Sequence, residues 1–180
     1  MKKHYTTKEK LLEICKECAK EKGINGFGMR DVAHASGLAL GTIYNYFTDK
    51  ETMIIETLLS IWKDFISCIP NTESFHDYLE KIINIVDDIE STYPNFINNH
   101  PRHITDSKID KAKELMTKEL QGIKEQIISV LNQDKMIRSN VFNSVLTKEN
   151  LARFTIKNIL SAKTKEDKEL LLQIVKCAIY

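Results

Sequence analysis

Five of the six glycines fall between Gly23 and Gly41, the sixth is Gly122, and the three prolines stand at Pro70, Pro94 and Pro101. A chain with so few breakers cannot make the many tight turns of a sandwich or barrel. It must turn often near its N-terminus and then run in long helices. Apolar spacing agrees. Thr7 is placed to cap a first helix in which Leu11, Leu12, Cys15, Cys18 and Ala19 recur at helical intervals, and Gly23 is the natural stop. Two short helices are expected at about 29–35 and 40–47, then a long one over 50–67 capped by Asp49. That long helix has two apolar seams, Ile54, Leu58, Ile61 and Phe65 beside Ile55, Leu59, Trp62 and Ile66, so it should be buried on two sides.

Farther on, Phe75, Leu79, Ile82, Val86 and Ile89 form a stripe, and Pro94 sits one residue inside a short helix expected over 93–98. Ile109, Ala112, Met116, Leu120, Ile123, Ile127 and Leu131 step by three or four without a break. Two further helices are expected at about 149–162 and 165–179. The last holds Leu170, Leu171, Leu172, Ile174, Val175, Cys177, Ala178 and Ile179, an arc wider than one core face needs. A helix apolar on two sides suggests a subunit interface, with burial inside one subunit as the alternative.

Composition narrows the class. Hydrophobic residues make 42% and charged residues 28% of the 180, a globular balance. No apolar run approaches the ~18 residues that would cross a bilayer, and Met1–Thr7 leads into no apolar segment of a secretory signal. Cys15, Cys18, Cys68 and Cys177 are too scattered for a disulfide scaffold, and Cys15-x-x-Cys18 lies in a helical pattern with no second pair, so buried reduced thiols and a cytoplasmic location are expected. Net charge is +1, but residues 1–50 carry nine Lys and Arg against six Asp and Glu, while residues 51–180 carry 17 against 19. The basic excess sits in the first quarter, the sign a nucleic-acid-binding end requires.

The informative stretch runs from Met29 to Phe47. Ala33 is small where two helices would cross closely, Gly37 follows four residues later where a turn wants positive φ, and Ile43 comes six after that on an inner face. These offsets describe a helix-turn-helix. In such a unit the second helix enters the DNA major groove. The residues it would offer are Leu40, Gly41 and Thr42, then Tyr44, Asn45 and Tyr46. Thr42 and Asn45 can hydrogen-bond base edges and Leu40 can meet a thymine methyl. Tyr44 and Tyr46 can reach phosphates, which Arg30, Lys50, Lys2 and Lys3 can neutralise. Phe47 is read as core; for Tyr46, core packing and phosphate contact both stay open. Ala39 offers no side chain to cap its helix.

Residues 8–54 resemble the N-terminal DNA-binding domain of the TetR/AcrR family of bacterial transcriptional regulators, and the stretch Gly37-Leu38-Ala39-Leu40-Gly41-Thr42-Ile43-Tyr44-Asn45-Tyr46-Phe47-Thr48-Asp49-Lys50-Glu51 follows that family's signature almost throughout. Two residues depart from it: Ala39 replaces a small hydroxyl cap, and Gly28 stands where Ser or Thr commonly caps the preceding helix. The resemblance implies an all-α chain, with a three-helix helix-turn-helix DNA-binding domain (1–50) and a larger helical ligand-binding and dimerisation domain (51–180). It implies a homodimer through the last two helices, paired as a four-helix bundle, as their apolar arcs also suggest. The expected function is a sequence-specific, ligand-responsive repressor acting on double-stranded operator DNA, released by a small-molecule inducer. An activator, or a helical interaction module of the same fold without DNA binding, is the alternative.

For the inducer, large side chains expected around the sensor core are Trp62, Phe65, Tyr78, Phe96 and Met116, each also open to plain core packing. His100 and His103 flank Pro101-Arg102, but no carboxylate or cysteine pattern completes a metal site. Gly23-Ile24-Asn25-Gly26-Phe27-Gly28 is glycine-rich yet follows a helix and lacks the Lys-Ser/Thr of a phosphate loop. No catalytic signature, cofactor or membrane partner is expected.

Overall fold

The computed structural model describes residues 6–69, 72–94, 96 and 106–180, the side chains at 106, 107, 109, 111 and 112 excepted. Among them are eight helices: α1 (Lys8–Lys22), α2 (Met29–Ser36), α3 (Leu40–Tyr46), α4 (Lys50–Ser67), α5 (Phe75–Thr92), α6 (Asp106–Gln133), α7 (Lys148–Ser161) and α8 (Lys165–Ile179). No described residue is in a strand, so the chain is all-α. No described helix is long and apolar enough to cross a membrane. The chain divides into two compact units, Met1–Phe65 with Ile89–Met116 and Ile66–Asp88 with Thr117–Tyr180.

In the first unit, Thr7 caps α1 as expected, its hydroxyl accepting from the Lys10 N–H at 3.3 Å. Leu11, Cys15, Cys18 and Ala19 turn inward while Leu12 is half-buried. Burial pushes the Cys15 thiol up to about 12 and the Cys18 thiol in the same direction, so both stay protonated. The helices α1 and α4 lie side by side in the same direction, because Lys8 meets Glu56 and Lys16 meets Asp64, each pair 48 residues apart. Lys16 is only 4% exposed. Its ammonium is held by Asp64 and, at 2.6 Å, by Glu13, which together outweigh the burial that disfavours its charge. Asp49 caps α4 through the Thr52 N–H at 2.9 Å. Both α4 seams are used: Ile54, Ile55, Ile61 and Trp62 are buried, and Leu58, Leu59, Phe65 and Ile66 half-buried.

In the second unit, the expected α5 residues Phe75, Leu79, Ile82 and Val86 are buried, as are Ile123, Ile127 and Leu131 of α6. Ile89 is buried too; the side chains of Ile109 and Ala112 lie outside the described residues. Thr147 and Thr164 cap α7 and α8, accepting from the Asn150 and Asp167 N–H groups at 3.0 and 3.1 Å. The helices α5 and α8 are antiparallel: Asp87 pairs with Lys168, and the His76 N–H donates to the Tyr180 hydroxyl at 3.1 Å. Arg138 closes the end of α8, its guanidinium donating to the carbonyls of Cys177 and Ala178 at 3.1 and 2.8 Å. Of the α8 arc, Leu171, Val175 and Ile179 are buried, whereas Leu170 and Ile174 are 59% and 46% exposed.

Helix ends differ from expectation by a residue for α2, α3 and α7. The short helix expected over 93–98 is not formed by its described part. Phe96 N–H donates to the Tyr93 carbonyl at 3.0 Å in a single turn, and Pro94 has no N–H to extend it. The rest of that segment, with Lys2, Lys3, Pro70, His100, Pro101 and His103, lies outside the described residues.

Candidate DNA-binding surface

The turn between α2 and α3 is made by hydrogen bonds that α2 leaves at its end. Gly37 adopts φ +67°, and the N–H groups of Leu38 and Gly37 donate to the carbonyls of Ala33 and His34 at 3.1 and 3.3 Å. This paired closure needs a left-handed residue, which is why glycine stands there. Val32 and Ala33 are buried on the inner face of α2, and Ile43 is fully buried in α3. One turn beyond, the buried Phe47 donates its N–H to the Ile43 carbonyl at 3.0 Å, so α3 is clamped along one side.

Its other side faces solvent. Gly41, Tyr44 and Asn45 are exposed, Tyr44 by 51%, while Leu40, Thr42 and Tyr46 are half-buried. The Tyr46 hydroxyl donates to the Thr6 carbonyl at 2.7 Å. Its proton is thus used inside the chain, which leaves the oxygen lone pairs alone for an outside partner. Gly41 is not needed by the fold: a Cβ there would meet nothing within 4 Å and its φ is not positive.

Two cations flank this face, Arg30 in the first turn of α2 and Lys50 at the start of α4, both exposed. The Lys50 stem passes the α2 N-terminus, with its Cδ 3.7 Å from where a Cβ on Gly28 would lie. Lacking a cap side chain, Gly28 still has its own N–H bound by the Asp31 carboxylate at 2.8 Å. The Lys22 ammonium and then that N–H hold the Asp31 carboxyl below its ordinary range. Asp49 is pulled down to about 2, first by Lys108 and then by the Thr52 N–H. A lowered carboxyl lends its stabilisation above the ordinary carboxylate range and loses it as pH falls towards about 2.

The caps can be improved. Gly28 has extended φ and room for a side chain, and Ala39 has φ −64° and ψ 142° with no side-chain cap bond. Ala39→Ser is expected to stabilise the chain by about 1 kcal/mol and Gly28→Ser by a few tenths. For Ala39→Ser that is a rise of about 2–4 °C in a thermal melt.

Of the residues expected at a ligand site, Trp62, Phe65, Phe96 and Met116 belong to the first unit and Tyr78 to the second. Trp62 and Phe96 rings stand 5.4 Å apart, Phe96 and Tyr93 rings 6.1 Å, and Tyr93 meets the half-buried Phe65 edge-on at 6.5 Å. Met116 is half-buried. Tyr78 is buried with its hydroxyl 3.1 Å from the Gln126 side-chain oxygen, and burial raises its phenol to about 12. Tyr93, where the sequence predicts only the start of a short helix, joins the aromatic cluster. Lys20 also lies over its ring, 5.8 Å from the centroid. Among the described residues, His76, Asp77 and Glu80 have ligand atoms within 4.8 Å of one another. Asp77 and Glu80 are exposed, and nothing distinguishes the group from a solvated acidic face.

Comparison with known proteins accords with this geometry. Residues 11–57 match the model of the bacterial regulatory proteins, tetR family. No curated protein matches in sequence. Among solved structures, the fold resembles Escherichia coli NemR in its reduced form (16% identity, 97% of this chain and 98% of that one, TM-score 0.67). It also resembles Salmonella enterica GusR (18%, 96% and 94%, 0.66), and Bacillus subtilis FadR, a transcriptional regulator solved with stearoyl-CoA (15%, 97% and 100%, 0.65). Residues 11–57, which include the helix-turn-helix, thus match the tetR family of bacterial regulatory proteins, and the all-α fold of the chain is shared with these solved structures.

Proposed function

We propose that the chain is a ligand-responsive repressor that grips operator DNA as a homodimer, with α3 in the major groove. The observation that carries this reading is the two-sidedness of α3. Ile43 and Phe47 are fully buried, while Gly41, Tyr44 and Asn45 stand exposed on the opposite side. A glycine in a helix costs up to about 1 kcal/mol against alanine, and the fold shows no use for Gly41. A groove wall approaching the backbone supplies one. In this assignment Leu40, Gly41, Thr42, Tyr44 and Asn45 meet bases or the groove wall. Arg30, Lys50 and Tyr44 meet phosphates, and Tyr46 would reach one only by turning its hydroxyl proton away from the Thr6 carbonyl.

The homodimer rests on the exposed apolar strip of Phe154 on α7 and Leu170 and Ile174 on α8. Two heads held this way can serve half-sites about 34 Å apart. For the inducer, the cluster of Trp62, Phe65, Tyr93 and Phe96 suits an apolar molecule, and Met116 of the same unit is assigned to that site, whereas Tyr78 belongs to the second unit and is left to its packing beside Gln126. That Bacillus subtilis FadR, a protein of similar fold, was solved in complex with stearoyl-CoA supports this reading. A coupling of about 1–3 kcal/mol between the sites would lower DNA affinity some 5- to 150-fold.

Gel shifts on the DNA upstream of the chain's own gene, and on a genomic library, test this. Tyr44→Ala and Lys50→Ala should each weaken binding by about 10-fold with the helical circular dichroism unchanged. Lys50→Ala should also lower the salt slope by about 1. Absence of any salt-sensitive, sequence-selective binding by the unaltered chain overturns the proposal.

A further inference from the structure

Asp49, Lys50 and Glu51 are consecutive at the start of α4, so the one phosphate-facing cation there is flanked by two carboxylates. Left to themselves, these would compete with phosphate for the Lys50 ammonium and repel the duplex directly. The structure shows how they are occupied. Lys108 on α6, 59 residues from Asp49 in sequence, donates to the Asp49 carboxylate and stands 3.5 Å from the Glu51 carboxylate. The other Asp49 oxygen accepts from the Thr52 N–H at 2.9 Å, so Lys108 meets a carboxylate already fixed in place. Among the described residues, no carboxylate holds Lys50, which is exposed. All four residues lie in the first unit.

We propose that Lys108 is a positioning residue for DNA binding: by engaging Asp49 and Glu51 it keeps both carboxylates off Lys50 and offsets one of their two negative charges beside the phosphate track. This rests on the reading of α3 and Lys50 as the DNA-binding face. Lys108 itself does not touch the duplex. Asp49 and Glu51 are the chain neighbours of Lys50, so a phosphate held by Lys50 would lie within about the 8–10 Å Debye length of both carboxylates at physiological salt. An exposed pair of this kind contributes little to folding. Its effect is therefore expected in DNA affinity rather than in stability.

The test uses the full chain and a duplex it selects from a random-sequence pool. Lys108→Ala should weaken binding about 5-fold at low salt and Lys108→Glu about 20-fold or more, whereas Lys108→Arg, which can still engage both carboxylates, should bind as the unaltered chain does. The Lys108→Ala loss should shrink as salt is raised. Asn retains a helix cap, so Asp49→Asn with Glu51→Gln should leave α4 formed; in that background Lys108→Ala should cost less than about twofold. A merely structural lysine would not show this dependence on the two carboxylates. Wild-type affinity for Lys108→Ala, or an undiminished loss in the neutralised background, overturns the proposal while leaving the DNA reading intact. Failure of the unaltered chain to select any duplex ends both.

Discussion

Replacing Asp134 by alanine is expected to remove about 3–5 kcal/mol of folding stability. The carboxylate is 7% exposed at the end of α6. It accepts from the Phe75 N–H at 2.8 Å, from the Met136 N–H at 2.8 Å and from the Tyr180 hydroxyl. Phe75 is the first residue of α5 and Tyr180 follows α8, so one side chain fastens the ends of three helices within the second unit. Alanine would strand the buried Phe75 amide and the Tyr180 hydroxyl, each at a cost of about 1–3 kcal/mol. In a thermal melt the loss corresponds to a fall of roughly 10 °C. Asp134→Asn keeps an acceptor oxygen and should lose about half as much. Urea unfolding checks both, and a change in the alanine variant below about 0.5 kcal/mol would contradict this account.

Neither Asp134 nor Lys16 was legible in the sequence, for the same physical reason. A pattern of apolar spacing assigns a carboxylate or a lysine to solvent, and only tertiary partners make burial tolerable. The partners of Asp134 are 59 and 46 positions away at Phe75 and Tyr180, and Asp64 is 48 from Lys16. No local rule pairs them. What was legible is what breakers and periodicity control. Asp49 and the two seams marked α4 over Lys50–Ser67, and Gly23 and Gly37 both adopt the positive φ that their stops require. Of the helix expected over 93–98 the described residues make only a single turn, since a proline at a first turn permits a helix without itself creating one.

The candidate DNA surface was legible to a different depth. Period sets Tyr44 and Asn45 about 100° and 200° round the helix from Ile43, which a short helix buried along one narrow side leaves outside. Period says nothing of where a hydroxyl ends up, so the bond from Tyr46 to Thr6 was invisible. Nor could it reveal that Lys108 would meet Asp49. The charge arithmetic placed the basic excess in residues 1–50, and a cation contributed from beyond residue 100 escapes a count divided there.

The widest consequence is expected from the exposed strip on α7 and α8. Leu170 and Ile174 are half-exposed on a helix whose neighbouring stripe, Leu171, Val175 and Ile179, is buried in its own chain. Glutamates at both positions should therefore leave the second unit folded while placing charge where a second copy would pack. Sedimentation is expected to show a dimer for the unaltered chain and a monomer for Leu170→Glu with Ile174→Glu. DNA affinity should fall with it by at least about 100-fold, because a second head tethered to the first binds at a high effective concentration and a lone head does not. The two measurements separate the links of the argument. A monomeric unaltered chain refutes the interface, and a monomeric variant with undiminished affinity for DNA refutes the need for paired heads. Because Tyr44→Ala acts on the head and the glutamates on the tether, equal losses from both with only the second changing mass would place recognition and pairing on opposite ends of one sequence, the first written in residues 29–47 and the second in the surplus apolar side of its last helix.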